Sequence, residues 1–205
     1  MKILTHRLGV ASTNCYLIYD EESKKACLID PAVYSKKIIE EIFTKRLSLE
    51  YIILTHGHFD HILGANAFRE ETGAKIAAHE LEAEYLENPD KSLTSIQSRE
   101  TVSADVLVKE NDILTFGEIS LKVIHTPGHT KGSCCFICES EKVMFSGDTL
   151  FKDGIGRYDL YGGNYNILMK SLQKLKNIKE NYKIYPGHGD STTLDREIAG
   201  NPYLN

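Results

Sequence analysis

The stretch Thr55-His56-Gly57-His58-Phe59-Asp60-His61 places three histidines and one aspartate within six residues. It follows Tyr51-Ile52-Ile53-Leu54, an apolar run that predicts a buried strand. Side chains two residues apart in an extended segment point the same way, so His56 and His58 are expected to face one metal ion. The aspartate and the third histidine come where the chain turns into the next helix, and they are expected to face a second ion.

The side chains of this motif also indicate the kind of metal. Imidazole and carboxylate ligands suit zinc, iron or manganese better than a metal that prefers soft thiolates. A polar loop whose histidines only cap or pair is the alternative interpretation. The density of the motif favours a metal site, provided that the rest of the chain completes it.

Length and composition predict one globular domain spanning residues 1–205. Of these residues, 41% are hydrophobic and 26% are charged, and the net charge is −5. The acidic balance and the lack of a basic cluster argue against nucleic acid as a partner. No apolar run approaches the ~20 residues of a membrane span, and the start of the chain does not resemble a signal peptide. We therefore expect a cytoplasmic protein with no membrane partner.

The cysteines are interpreted as structural. Their number, five, is odd, which disfavours a secreted disulfide framework. Cys135 and Cys138 have the spacing of a metal-binding pair, but residues three apart in a strand face opposite sides of the sheet. We expect buried thiols.

The first half of the chain predicts a hairpin followed by a strand–helix–strand unit. The turn Asp20-Glu21-Glu22-Ser23 separates two predicted strands. A helix with Ser35 as its N-cap then leads to the strand before the histidine motif. This order favours a parallel βαβ unit and an α/β fold. The predicted elements are the strands Lys2–Leu8, Asn14–Tyr19, Ala26–Ile29, Tyr51–Leu54 and Lys75–Ala78, and the helices from Ile38 to Leu47, Leu63–Glu71 and Glu80–Leu86.

Three features of this half allow two interpretations each. Asp30 either approaches the metal site or serves as a turn residue before Pro31. His79 is a possible ligand, but a surface histidine at a helix start is favoured. Residues 88–111 are polar and form either a lid or an excursion at the sheet edge.

In the second half, ligand-type residues come just after predicted strands. His129, Asp148 and His188 each occupy such a position, and both histidines follow a Pro-Gly pair, where glycine lets the backbone turn tightly. Loops at strand ends hold ligands on a rigid scaffold. With the first motif, the candidates are five histidines and two aspartates. The predicted elements are the strands Leu121–Ile124, Ser133–Ile137, Val143–Phe145 and Lys183–Tyr185, and the helix Asn166–Lys179.

These motifs resemble those of metallo-β-lactamase-fold hydrolases, over nearly the whole chain. The resemblance rests on four motifs: Thr-His-Gly-His-Phe-Asp-His at 55–61, Thr-Pro-Gly-His-Thr at 126–130, Ser-Gly-Asp-Thr-Leu-Phe at 146–151 and Pro-Gly-His-Gly-Asp at 186–190. Within the superfamily, the chain most resembles short glyoxalase II-like (hydroxyacylglutathione hydrolase-like) proteins. The resemblance implies an αββα sandwich, in which two mixed sheets lie between outer helices.

The resemblance also implies a binuclear centre of two divalent ions, with zinc favoured and iron or manganese as alternatives. His56, His58 and His129 would hold the first ion, Asp60, His61 and His188 would hold the second, and Asp148 would bridge both. The implied reaction is attack of a metal-bridging hydroxide on a thioester or ester carbonyl. Asp60 and Asp148 are the candidate catalytic carboxylates.

The expected partner is a small thioester or ester. Arg157 stands where the family has a lysine that contacts glutathione, and it is the candidate substrate-binding residue for a carboxylate. A structural salt bridge is the alternative. Two tyrosines of the family are replaced by Asp159 and Asp190, and the helical C-terminal extension of full-length glyoxalase II is not matched. Tyr158, Tyr161 and Tyr165 are candidates to line the substrate pocket, but packing or surface positions are favoured.

Other functions of the same fold remain as alternatives. A persulfide dioxygenase would bind one iron through His56, His129 and Asp148, a two-histidine and one-carboxylate triad. A lactonase or other ester hydrolase, and a non-enzymatic scaffold that keeps a metal, are the others. The hydrolase ranks first because Asp60, His61 and His188 complete a second site.

Overall fold

The computed structural model of the chain describes residues 1–204 and contains two six-stranded β-sheets. The strands of the first sheet are β1 (Lys2–Leu8), β2 (Thr13–Tyr19), β3 (Lys25–Ile29), β4 (Ser48–Ile53), β5 (Lys75–His79) and β6 (Val106–Val108). The strands of the second are β7 (Ile113–Phe116), β8 (Ile119–His125), β9 (Cys134–Cys138), β10 (Val143–Gly147), β13 (Lys183–Pro186) and β14 (Thr192–Thr193). A separate hairpin consists of β11 (Leu150–Phe151) and β12 (Gly154–Ile155).

Six α-helices accompany these strands within residues 1–204. They are α1 (Lys36–Thr44), α2 (Phe59–Ile62), α3 (Ala65–Thr72), α4 (Ala83–Leu86), α5 (Tyr165–Lys176) and α6 (Leu194–Gly200). Short 3₁₀ helices cover Glu80–Glu82 and Thr94–Ile96. Gly73 ends α3 with φ +72, a left-handed conformation that favours glycine. Ser35 is at the N-cap of α1, as predicted, but its side chain makes no capping hydrogen bond.

The first sheet confirms the predicted hairpin and the predicted βαβ unit. Its order is β1-β2-β3-β4-β5-β6, with β1, β2 and β3 antiparallel and β3 to β6 parallel. The helix α1 connects β3 to β4. The second sheet has the order β14-β13-β10-β9-β8-β7, in which the pair β10 and β13 is parallel and the others are antiparallel.

Alternating side chains along the central strands create three apolar layers of packing. In β2, Leu17 packs against α1 and α3 on the outer face of the first sheet, whereas Ile18 faces the second sheet. The space between the sheets is filled by side chains of both, including Phe136 and Phe145. Leu168 of α5 and its neighbours cover the outer face of the second sheet. The predicted four-layer αββα sandwich is confirmed.

The last part of the chain was not predicted. The short strand β14 and the helix α6 follow His188, and Leu194 of α6 joins the apolar layer under α5. The polar segment 88–111 contributes the edge strand β6, which pairs with β5 through three residues. This short strand fits the predicted excursion at the sheet edge.

Loops from the two sheets are joined where their strands end. Gly187 accepts a backbone hydrogen bond from Asn14 of the first sheet (2.7 Å), and it donates one to Gly147 of the second (2.8 Å). The backbone N–H of Cys134 likewise donates to Thr55 (2.9 Å). These bonds bring the ends of β4, β10 and β13 together at one edge of the sandwich. No helix within residues 1–204 combines the length and the apolarity that crossing a bilayer requires.

Candidate metal centre

The histidine motif after β4 divides into two parts because a helix begins inside it. His58 occupies the N-cap position of α2, so Asp60 and His61 lie in the first turn of that helix. His56 and His58 precede it in irregular backbone. All three histidines are at least 97% buried. The change from loop to helix aims the two pairs of side chains at neighbouring points, as the sequence predicts.

The first point is surrounded by three imidazoles. His58 Nδ1 lies 2.9 Å from His129 Nε2, which lies 3.1 Å from His56 Nε2. Two ligands of a tetrahedral zinc ion, each about 2.05 Å from the metal, are separated by about 3.3 Å. The spacing of these nitrogens is therefore close to that of three ligands around one ion.

The second point is surrounded by two imidazoles and a carboxylate. His188 Nε2 lies 3.3 Å from His61 Nε2 and 3.3 Å from Asp60 Oδ2. Asp60 Oδ2 is 3.8 Å from His61 Nε2. The potential ligand atoms of each trio lie within 4.8 Å of one another. The loop after β13 thus supplies His188 to the group begun by α2.

Asp148 lies between the two groups. Its Oδ1 is 3.4 Å from His61 Nε2, and its Oδ2 is 3.5 Å from His188 Nε2 and 3.7 Å from His129 Nε2. Asp148 also forms a compact trio with His56 and His61. One carboxylate therefore reaches histidines of both groups, and all seven candidate ligands meet in one centre.

The electrostatic character of the two groups differs. Burial, followed by repulsion from neighbouring imidazoles, holds the pKa of both His56 and His58 well below the usual range. Burial would also lower the pKa of His61, but the carboxylates of Asp148, Asp30 and Asp60 raise it to about 10. Because a metal ligand must be a neutral imidazole, loading the second group would release a proton from His61.

The residues fit a pair of divalent cations. The nitrogen and oxygen spacings are those expected of ligands that share an ion, and the donor set is the imidazole and carboxylate mixture that zinc, iron and manganese accept. Within residues 1–204, the buried Oδ1 of Asp148, the carboxylate between the two groups, has no hydrogen-bond partner. Since buried polar atoms are normally satisfied, this oxygen points to a ligand outside the polypeptide.

Asp30 orients two of the histidines. Its Oδ2 accepts a hydrogen bond from His61 Nδ1 (2.9 Å) and one from the Thr55 hydroxyl (2.7 Å), while Oδ1 accepts from the Thr55 backbone N–H. Thr55 Oγ1 in turn lies 3.1 Å from His56 Nδ1. The proton on Nδ1 leaves Nε2 of each ring free to face the centre. Of the two interpretations of Asp30, the structure supports contact with the metal site.

The other two loops orient their histidines through backbone carbonyls. His129 Nδ1 donates to the carbonyl of Arg157 (2.6 Å), and His188 Nδ1 donates to that of Ala11 (3.2 Å). In each ring the opposite nitrogen, Nε2, faces the centre. Backbone partners of this kind cannot be recognised from residue types, so the sequence did not indicate them.

Glu82 is a functional candidate that sequence reasoning missed. Its fully buried carboxylate accepts hydrogen bonds from the backbone N–H groups of Gly57 (2.6 Å) and Gly132 (2.7 Å) and from the Thr130 hydroxyl (2.7 Å). Burial raises its pKa to about 7, against the opposing effect of these donors. Through its hydrogen bonds, Glu82 joins the loop of His56 and His58 to the loop of His129. The sequence did hold a signal for it: Glu82 precedes the apolar Tyr85 and Leu86 by three and four residues, a spacing that places all three on one face of a helix.

Arg157 pairs with its neighbour rather than with the centre. Its Nε and Nη2 lie 2.8 and 2.9 Å from the two carboxylate oxygens of Asp159, and both side chains are about 60% exposed. Tyr158, Tyr161 and Tyr165 are between 40 and 43% exposed, which agrees with the predicted surface positions.

The prediction of a surface position for His79 was wrong. Its side chain is only 4% exposed, because its ring stacks on that of His125 at 4.1 Å. Its Nδ1 accepts from the backbone N–H of Leu81, which fits the predicted helix start. His125 donates from Nε2 to the carbonyl of Lys131 and lies outside the three trios. All five cysteines are free and buried, as predicted.

Comparison with known proteins agrees with this geometry. The sequence profile of the metallo-beta-lactamase superfamily matches residues 8–188. The chain belongs to this superfamily. Its members are mostly metal-dependent hydrolases.

Three relatives illustrate the range of the superfamily around this chain. A hydroxyacylglutathione hydrolase, GloC, of Haemophilus influenzae is 35% identical over 200 residues, which are 94% of this chain and 92% of the relative. The crystal structure of the B3 metallo-beta-lactamase BLEG-1 superposes with a TM-score of 0.91 and 35% identity, covering 99% of both chains. The crystal structure of TTHA1623 in a di-iron-bound form has a TM-score of 0.86 and 31% identity, covering 98% of this chain and all of that one.

Proposed function

We propose that this superfamily member is a binuclear metal-dependent hydrolase that cleaves a thioester, of the hydroxyacylglutathione type or a related acyl-thiol. The observation that carries the proposal is the position of Asp148, whose carboxylate lies within 3.7 Å of histidine nitrogens of both groups. A single ion would need only one trio. Two complete trios with a shared carboxylate favour two ions.

Each ion has a proposed set of ligands. The first would be held by His56, His58 and His129, the second by Asp60, His61 and His188, and both by Asp148. The di-iron form of TTHA1623 supports a two-metal centre. We favour zinc, with iron or manganese as alternatives.

The chemistry supplied by such ions is a lowered pKa of bound water and polarisation of a carbonyl oxygen. The side chains around the centre differ in their exposure to solvent. The imidazoles of His56 and His61 are buried, whereas the side chains of Asp60 and Asp148 are 17% and 11% exposed. The two carboxylates therefore border the accessible side of the centre, where a substrate arrives. We assign them as the catalytic carboxylates, with Asp148 also fixing the distance between the two groups.

Arg157 is the proposed contact for a carboxylate of the substrate. Its main-chain carbonyl holds His129, so its side chain starts next to the first group. The ion pair with Asp159 is exposed on both sides, and such pairs contribute no more than about 1 kcal/mol. A substrate carboxylate can thus replace Asp159 at small cost. The 35% sequence identity to the hydroxyacylglutathione hydrolase GloC supports a thioester of an acidic thiol as the first substrate to test.

The test combines metal analysis with a panel of substrates. We expect about two divalent ions per chain by elemental analysis, and hydrolysis of S-lactoylglutathione or another acyl-thiol that is lost on chelation and restored by added metal. One iron per chain, with oxygen consumption on a persulfide, would replace the proposal by the dioxygenase alternative. Hydrolysis of lactones or simple esters in preference to thioesters would redirect it to an esterase, and a fully loaded, inactive protein to a scaffold.

A further inference from the structure

An apolar cleft of about 180 Å³ adjoins the second ligand group, between the β1–β2 turn and helix α2. Val10 of the turn, Val33 after β3, and Phe59 and Leu63 at the two ends of α2 supply its apolar lining. Asp60, a proposed metal ligand, lines the same cleft. The cleft therefore shares Asp60 with the second ligand group.

The turn that forms one side of the cleft also contacts the centre directly. The carbonyl of Ala11 accepts the hydrogen bond from His188 Nδ1. Val10, the preceding residue, is 81% exposed, and Val33, Phe59 and Leu63 are each partly exposed. A single exposed valine is ordinary on a protein surface. Four adjoining apolar side chains next to a polar, metal-type centre instead form a surface that an apolar group can cover.

The two flanks of the centre differ in chemistry. The second group adjoins this cleft, whereas the first group adjoins the main chain of Arg157, whose carbonyl accepts a hydrogen bond from His129 and whose exposed guanidinium pairs with Asp159. A thioester has two halves, an acyl group and a thiol. An acidic thiol matches the flank with Arg157, which leaves the acyl group for the apolar flank.

We propose that this cleft binds the apolar acyl chain of the substrate, an inference that rests on the proposed function and narrows its substrate class. An apolar cavity of roughly 150 Å³ accepts a benzene molecule. A cleft of about 180 Å³ therefore accommodates an acyl chain of about four to seven carbons or a phenyl group. A small, polar 2-hydroxyacyl group would leave most of this surface uncovered.

The test measures binding separately from turnover. The carboxylates acetate and hexanoate are titrated into the metal-loaded protein by calorimetry, since both present the same head group to the centre. Each buried methylene strengthens binding about fourfold, so partial burial of four methylenes predicts a preference for hexanoate of roughly tenfold or more. Val10→Asp and Leu63→Phe, which charge and fill the cleft, should each reduce that ratio at least severalfold. The two variants disturb different sides of the cleft, so a folding defect in one does not affect the other.

The control is Ile113→Asp, which likewise introduces a charge at an exposed, β-branched apolar residue. Ile113 is 60% exposed and lies on β7 in the other sheet. It should keep the wild-type ratio. Equal affinities for hexanoate and acetate, or a ratio unchanged in both cleft variants, would overturn the inference. Hydrolysis of acetyl and hexanoyl thioesters of one thiol is then measured on the same preparations. Thioester turnover without a preference for the longer chain would refute the cleft as the acyl-binding site and leave the proposed function standing. Binding that depends on chain length, without thioester turnover, would refute the proposed function alone.

Discussion

The carboxylate of Glu82 lies 2.6 Å from the backbone nitrogen of Gly57, the residue between two proposed metal ligands. The same side chain holds Gly132 and Thr130, which follow His129. One buried acid thus fixes the relative position of both loops that form the first ligand group. A Cβ at Gly57 would lie 2.7 Å from Tyr85 and 3.0 Å from Glu82, so this approach requires glycine.

Glu82→Gln should weaken the first metal site. The amide retains one acceptor, but its NH₂ group faces backbone donors, and leaving buried donors unsatisfied costs about 1–3 kcal/mol of folding stability. Loss of an orienting partner typically lowers metal affinity by about 10–100-fold. Metal affinity is measured by competition with a chelator, and stability by urea unfolding. The matched control is the exposed Glu80→Gln in the same segment; equal metal affinity in the two variants would contradict the role of Glu82.

Asp148→Ala should remove at least one equivalent of metal and nearly all turnover. Its carboxylate approaches histidines of both groups, so its loss affects both. His125→Ala serves as the comparison, because His125 bonds to Lys131 and lies outside the ligand trios. Elemental analysis and hydrolysis rates are measured on both proteins. Unchanged metal content in the first variant, or a lost equivalent in the second, would refute the assignment of ligands.

Gly187→Ala tests the geometry without removing a ligand. An added Cβ would lie 2.2 Å from Asp148 Oδ1 and 2.8 Å from the ring of His61, so both side chains must move. Because displacements of about 1 Å cost about a hundredfold in rate, we expect a loss of that order together with weaker metal binding. Gly154→Ala is the control, since its Cβ would meet nothing within 4 Å. Equal activity of the two variants would show that the centre tolerates this crowding.

His79 should make stability depend on pH. Burial, followed by the stacked His125, lowers its pKa to about 4, although Glu80, Glu110 and Asp112 oppose this shift. The unfolded chain takes up a proton near pH 6.5 and the folded chain only near pH 4, so stability is lost as the pH falls between these values. At about 1.4 kcal/mol per pKa unit, the loss is at most about 3 kcal/mol.

The variant His79→Asn isolates this contribution. Asparagine can still accept the hydrogen bond from Leu81 at the start of the 3₁₀ helix. Urea unfolding of both proteins between pH 7 and pH 4.5, in the same buffers, cancels the titration of all other groups. The difference in unfolding free energy should shrink as the pH falls. A constant difference would mean that His79 titrates alike in the folded and unfolded chains.

The sequence predicted the parts of the centre that depend on local order. Each ligand comes just after a strand, and strand ends meet at one edge of a sandwich, so His129 and His188 could be placed near the first motif. Glu82 could not, because its three donors come from segments 25 to 50 residues away. The burial of His79 depends on a ring from another sheet, His125. Helix α6 was missed because three charged residues, Asp195, Arg196 and Glu197, follow Leu194 in its first turn, and the apolar packing of Leu194 is a tertiary contact.

The division of the candidate ligands between the two sheets bears on when the chain can acquire a metal ion. Four candidate ligands come from the segment after β4, but the other three, His129, Asp148 and His188, come from the second sheet. Before that sheet has formed and docked, neither trio is complete, and an ion bound to the first motif alone would exchange with the surroundings. We therefore expect stable capture of a metal ion only after the two sheets have docked. On this proposal, the metals available to the folded chain, rather than those met during synthesis, decide which ion it keeps.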